Sequence, residues 1–139
     1  MITQHFRVFS LPELLPEGHV LVANMHSYSL STFVVSQLSA EPHGLVAQEV
    51  LTEHEMYVLI ALLESYPHYC PYEILLAAIT DETMNNARAT VYQATDCKTL
   101  NQSMKPIRNL LSRCRAKLHT FGIDIRSLHG EGYILAPMR

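Results

Sequence analysis

The chain has no tryptophan, three cysteines and five glycines in 139 residues. Cys70, Cys97 and Cys114 are odd in number and widely spaced, so they build no disulfide framework. A reducing, cytoplasmic location is therefore the expectation. Long apolar runs are missing as well. Runs such as Val58–Leu63 fall far short of the ~20 residues a helix needs to span a bilayer, so no membrane association is expected. The opening residues, MITQHFRVFSLPELL, lack the basic start and small-residue cleavage site of a secretory signal. Charge is sparse at 17% while 48% of the residues are apolar, which excludes wholesale disorder and supports one ordinary core. Bases are nearly absent from the first 97 residues, where Arg7 and Arg88 face eleven acids and leave a charge of −9.

The missing bases are concentrated further on. Seven of the ten Lys and Arg residues fall between Lys98 and Arg126, with Asp124 as the single acid, which leaves +6. Phosphate backbones attract local Lys/Arg clusters whatever the net charge of the chain, here −3.

The pattern of apolar residues divides the chain at about residue 50. Residues 1–17, with Pro12 and Pro16, form an arm or first strand. HVLVANM (His19–Met25), STFVVSQL (Ser31–Leu38) and GLVAQEV (Gly44–Val50) are valine-rich and roughly alternating, as strands are. Their connections are too short for crossovers, so an antiparallel meander is predicted. From Leu51 the period changes. Thr52 and Glu55 form a capping box, and Met56, Leu59, Ile60 and Leu63 follow on one helical face. Pro67 ends that helix. Pro71 opens a second one, with Ile74, Leu75, Ala78 and Ile79 buried. Thr80–Cys97 is polar and weakly patterned, a long loop with a short helix in it.

A third helix is predicted over Leu100–Leu118. Leu100, Met104, Ile107, Leu111, Cys114 and Leu118 make a narrow apolar stripe. Gln102, Lys105, Asn109, Ser112 and Arg113 lie opposite, with Arg108 and Arg115 on a flank. These donors suit both phosphates and base edges. Pro106 places the regular start of the helix near Ser103, because proline fits only a first turn. Ile123, Ile125 and Leu128, then Tyr133 and Leu135, form two strands reversed between Gly130 and Gly132. The expected class is α+β: a winged helix-turn-helix over residues 51–139, three helices and a C-terminal hairpin, behind an N-terminal antiparallel β-sheet over residues 1–50.

LTEHEMYVLIALLESYP, YEILLAAI, IRNLLSRCRAKL and IRSLHGEGYIL, in that order, resemble the opening, second helix, recognition helix and wing of the OmpR/PhoB-type winged-helix DNA-binding domain. That resemblance covers Leu51–Leu135 and implies a third helix in the major groove with a wing at the minor groove. Lys105, Asn109, Ser112, Arg113 and Arg115 stand where family members contact DNA, and Ser127 and His129 stand at wing positions. Arg108 joins them as a phosphate or guanine contact. Departures are visible: His129 replaces a wing arginine, Leu110 a common histidine, and Glu131 puts an acid at the wing tip. TLNQSMKPIRNLL also resembles the recognition helix of the ToxR/CadC branch, seven residues earlier. That register would turn Asn101, Gln102, Lys105 and Arg108 to DNA.

The function implied is a standalone bacterial transcription regulator binding double-stranded DNA as a homodimer. Thr80–Cys97 would be a possible RNA polymerase contact, and no receiver domain would supply phosphorylation control. The alternative is a protein-binding module that docks another regulator or the polymerase without touching DNA. Neither a Gly-rich phosphate loop nor a nucleophile elbow nor a zinc-protease motif occurs, so no enzyme and no cofactor are expected. Cys114 with His119, or His68 with Cys70, lacks a second pair at zinc-site spacing, so no metal is expected either. Cys97 beside Lys98 is the one candidate redox thiol, and Tyr133 is read as a packing residue at the wing base.

Overall fold

Four strands precede the first helix, and their short connections make every pairing between neighbours antiparallel. The computed structural model describes residues 5–35, 42–79 and 97–138, with Pro42, His43 and residues 97–104 as backbone only. The strands are β1 (Phe6–Phe9), β2 (His19–Asn24), β3 (Ser29–Val35) and β4 (Pro42–Val50), in the order β1-β2-β3-β4. Register follows from the pairs Val8↔Val22, Val22↔Ser31 and Ser31↔Gln48. Two irregularities between Thr32 and Val34 let β4 carry extra residues, and Gly44 takes the positive φ of 73° that this bulged stretch requires.

Period-two alternation gives the sheet two unlike faces. Leu21, Ala23, Leu30 and Thr32 are buried towards the core, with Phe9 and Ala47 packed beside them. By register the opposite face consists of Phe6 and Val8, then Val20, Val22 and Asn24, then Ser29, Ser31 and Phe33, then Leu45, Gln48 and Val50. None of these outward residues is charged.

Helix α1 (Glu53–Ser65) starts at the predicted capping box: Thr52 Oγ1 accepts from the Glu55 amide at 3.2 Å, and Glu55 Oε1 accepts from the Thr52 amide at 2.8 Å. The predicted stripe of Met56, Leu59, Ile60 and Leu63 is buried, and so are Val58, Ala61 and Leu62. The helix is therefore central to the core, not laid on its surface, and it packs against α2 (Tyr72–Ile79), α3 (Cys97–Leu118) and β7 (Gly132–Pro137). It ends before Pro67, as expected.

Two predicted helix starts are corrected. Pro71 does not open the second helix. It belongs to the two-residue strand β5 (Cys70–Pro71), which pairs with β7 through Cys70↔Tyr133 and Pro71↔Gly132, and α2 begins at Tyr72. An edge strand accepts proline because an N–H turned away from the ladder is not missed. Gly132 is required opposite it, since a Cβ there would lie 2.1 Å from the Cys70 carbonyl oxygen. On α2 the fully buried residues are Leu75 and Leu76, while Ile74, Ala78 and Ile79 are only half-buried. The third helix does not begin near Ser103 but at Cys97, so Pro106 lies inside it and Cys97 opens the helix instead of sitting in a loop. Pro106 is exposed, and the buried residues that follow (Ile107, Leu110, Leu111, Cys114 and Leu118) hold the helix to the core. Tertiary packing of an apolar face outweighs the single hydrogen bond that proline removes. The predicted loop at 80–96 and the end of the second predicted strand at 36–38 lie outside the described residues.

A 3₁₀ turn (His119–Phe121) and Gly122, at φ 78°, lead from α3 into β6 (Ile123–Leu128). β6 pairs with β7, and the second sheet has the order β5-β7-β6. Among the described residues the architecture is thus α+β, with three α-helices and two antiparallel sheets. No described helix is long and apolar enough to cross a membrane.

Candidate nucleic-acid interface

Helix α3 turns three sectors outward once Ile107, Leu111, Cys114 and Leu118 are buried. Residues 105, 109 and 112 sit four and three apart, and Lys105, Asn109 and Ser112 are all exposed. Residues 113 and 117 share the flank facing α1. Residues 108, 112 and 115 share the flank facing the β6–β7 hairpin.

The α1 flank is an ion-pair site. Glu55, only 1% exposed, receives Lys117 Nζ at 2.7 Å on Oε1 and lies 3.3 Å from Arg113 Nε through Oε2. Burial pushes the Glu55 carboxyl up, but the Lys117 hydrogen bond, the Thr52 amide and the two cationic charges outweigh it and hold the group below its ordinary value. Lys117 also donates to the Val50 carbonyl oxygen at 2.8 Å, tying the end of β4 to α3. Beneath this pair the Cys114 thiol donates to the Glu55 carbonyl oxygen at 3.4 Å, and burial pushes it up to about 12. A thiol so held is neither a nucleophile nor a ready metal ligand at neutral pH. Among the described residues no three His, Cys, Asp or Glu side chains come together as a metal site.

The hairpin flank carries a second acid. Asp124 binds Arg115 through both oxygens, with Nη2 at 3.3 Å from Oδ2, and His119 Nε2 lies 3.0 Å from Oδ1. The Arg115 hydrogen bond, helped by His119 and by the Ile125 amide, holds the Asp124 carboxyl well below the usual carboxylate range. Arg126 donates to the Pro137 carbonyl oxygen at 3.2 Å.

Between this flank and the hairpin runs an open groove of about 230 Å³, lined by Arg108, Leu111, Ser112, Arg115, Ile125, Ser127 and Tyr133. It gathers four of the eight sequence-predicted residues, Arg108, Ser112, Arg115 and Ser127. Lys105, Asn109 and Arg113 lie on other sectors of the helix, and exposed His129 sits at the hairpin turn. Tyr133 packs edge-on against Tyr72, ring centres 6.0 Å apart, at the base of the groove. Burial, then the neighbouring Tyr72, raises its phenol.

Sequence reasoning missed the partners of the cations. Glu55 was visible as a capping residue, but nothing local marks it as the acceptor for Lys117, 62 positions away. Asp124 was visible as the one acid of the basic stretch, and its spacing of nine from Arg115 crosses a turn no periodicity describes. No protein-family model matches the chain, and no curated protein matches it.

Proposed function

We propose that the chain binds double-stranded DNA as a transcription regulator, with α3 in the major groove and the β6–β7 hairpin acting as a wing beside it. The observation that carries this reading is the outward sector of α3. Lys105, Asn109 and Ser112 are exposed in line on a helix whose other side is fixed to the core, directly before a hairpin that exposes Ser127 and His129. A helix so held presents donors to base edges while flanking groups meet phosphate. In this reading Asn109 and Ser112 read bases. Lys105, Arg108 and Arg113 take phosphate or guanine, Arg115 holds the hairpin side, and Ser127 and His129 meet the backbone at the minor groove. The carboxyl-terminal half of α3 is the reading half, because it is the half beside the hairpin groove. Paired sites and a dimer on DNA belong to the same proposal.

A second reading, a module that docks a protein partner and not DNA, is favoured by one observation. Arg113, Arg115 and Lys117 already face Glu55 or Asp124, which lowers the charge available to phosphate. Anisotropy titration on pooled double-stranded genomic fragments at two salt concentrations separates the readings. A DNA binder loses affinity with a log–log slope of about −0.9 per phosphate neutralised. Substituting Arg108→Ala with Arg113→Ala lowers both affinity and slope if DNA is the ligand; unchanged binding overturns that assignment.

A further inference from the structure

The outward face of the four-stranded sheet is built unlike a surface that water covers. Val8 is 57% exposed, Leu45 55%, Val50 65% and Phe6 41%, all on the outer strands β1 and β4, with Val22 (9% exposed) and half-buried Phe33 between them on β2 and β3. The residues between are uncharged Asn, Ser and Gln. A solvated face of an antiparallel sheet ordinarily alternates to polar and charged residues, and roughly a quarter or more of a typical surface is charged. The bulge in β4 adds Val46, 55% exposed, to the same apolar rim.

We propose that this face pairs with the same face of a second copy of the chain, sheet on sheet. The charge pattern selects that occupant. In a two-fold pairing the face meets its own copy, so a face carrying one sign of charge would repel itself. Among the described residues of the face there is no charge, so an acidic or basic partner would find no countercharge on it. Packing two such faces about 10 Å apart makes a two-chain sandwich of the ordinary kind. Four strands spaced about 4.8 Å apart give each copy a footprint on the order of 400 Å². That is below the ~800 Å² per partner of a durable complex, so the dimer is concentration-dependent. The pairing face points away from the core on which α3 packs, which leaves Lys105, Asn109 and Ser112 uncovered. The proposal stands without the DNA reading, because it concerns the free protein.

Sedimentation equilibrium of the whole chain without DNA, from low to high micromolar concentration, tests it. The wild-type mass is expected to rise from one chain towards two. Val8→Glu with Leu45→Glu, at positions exposed enough to keep the fold (checked by circular dichroism), is expected to weaken association by more than about tenfold, since like charges brought face to face are strongly unfavourable. Mixing that variant with Val8→Lys, Leu45→Lys is expected to restore the heavier species. Lys105→Ala, on α3 and away from this face, is expected to leave the self-association unchanged while DNA affinity, a separate readout, falls. A wild-type chain that stays single at the highest concentration overturns the proposal, including the case where this face instead captures a different protein. A Glu variant that associates as the wild type does overturns it too.

Discussion

The flank of α3 turned towards α1 and the sector turned to solvent are made of similar donors, yet they differ in what they can still bind. Arg113 and Lys117 share the buried carboxylate of Glu55, whereas Lys105, Asn109 and Ser112 stand exposed one turn apart. Glu55 comes from the acidic part of the chain. The two halves that differ in sign along the sequence are therefore joined in space, and part of the positive segment is neutralised from within. A count of basic residues overstates a binding surface wherever an acid from another element is packed beneath it.

The sharpest break of this comparison lies between the buried stripe and the exposed line. Ile107→Ala, at a position with no exposure, is expected to cost roughly 2–5 kcal/mol in urea denaturation. Asn109→Ala, two residues on, should stay within about 0.5 kcal/mol, because exposed sites away from special contacts are tolerant. Gly132→Ala is expected to lose roughly 3 kcal/mol, since the added methyl meets the Cys70 backbone and neither chain can yield without breaking the β5–β7 pair. A small loss would mean that β5 is not needed to seat the hairpin.

Glu55→Gln addresses the α1 flank directly. It keeps a capping side chain but removes the charge shared by Lys117 and Arg113, so about 2 kcal/mol of stability should go. In a DNA titration the same variant should bind more tightly and with a salt slope steeper by about one phosphate, because Arg113 is released. An unchanged slope would place Arg113 outside the DNA contact.

The smallest effect is in acid. Glu55 and Asp124 both have carboxyls held below their unfolded values. Their contribution is fully present above the unfolded carboxylate range, about pH 4, and fades as the pH falls through the lowered values. Thermal melts between pH 7 and pH 3 should therefore show stability falling towards the acid end, and Asp124→Asn should flatten part of that fall. A variant with the same pH profile as the wild type would show that the Arg115–Asp124 pair contributes little.

Much of the fold was legible in local pattern. The Thr52–Glu55 box, the period-two valine segments, the stripe from Ile107 to Leu118 and the glycine-bracketed hairpin each follow from a short-range rule, and each stands in the structure. The failures share a cause. Two residues, Cys70 and Pro71, carry no strand period, so β5 exists only because β7 lies beside it. Pro106 obeys its local rule in isolation and is overridden by the packing of the residues that follow. Of the candidate site, the exposed sector was legible from helical phase alone. The groove against the hairpin was not, because it depends on how β6 and β7 turn back over Arg108, Ser112 and Arg115.

The sequence by itself determined which side of α3 is apolar, where α1 begins and which strands can be neighbours, because those depend on side-chain spacing and short connections. Only the tertiary structure decided which cations are engaged, which side of the first sheet is left bare, and where Gly132 must pass Cys70. Those depend on through-space distances between residues far apart in the chain, and Coulomb and van der Waals energies are set by such distances.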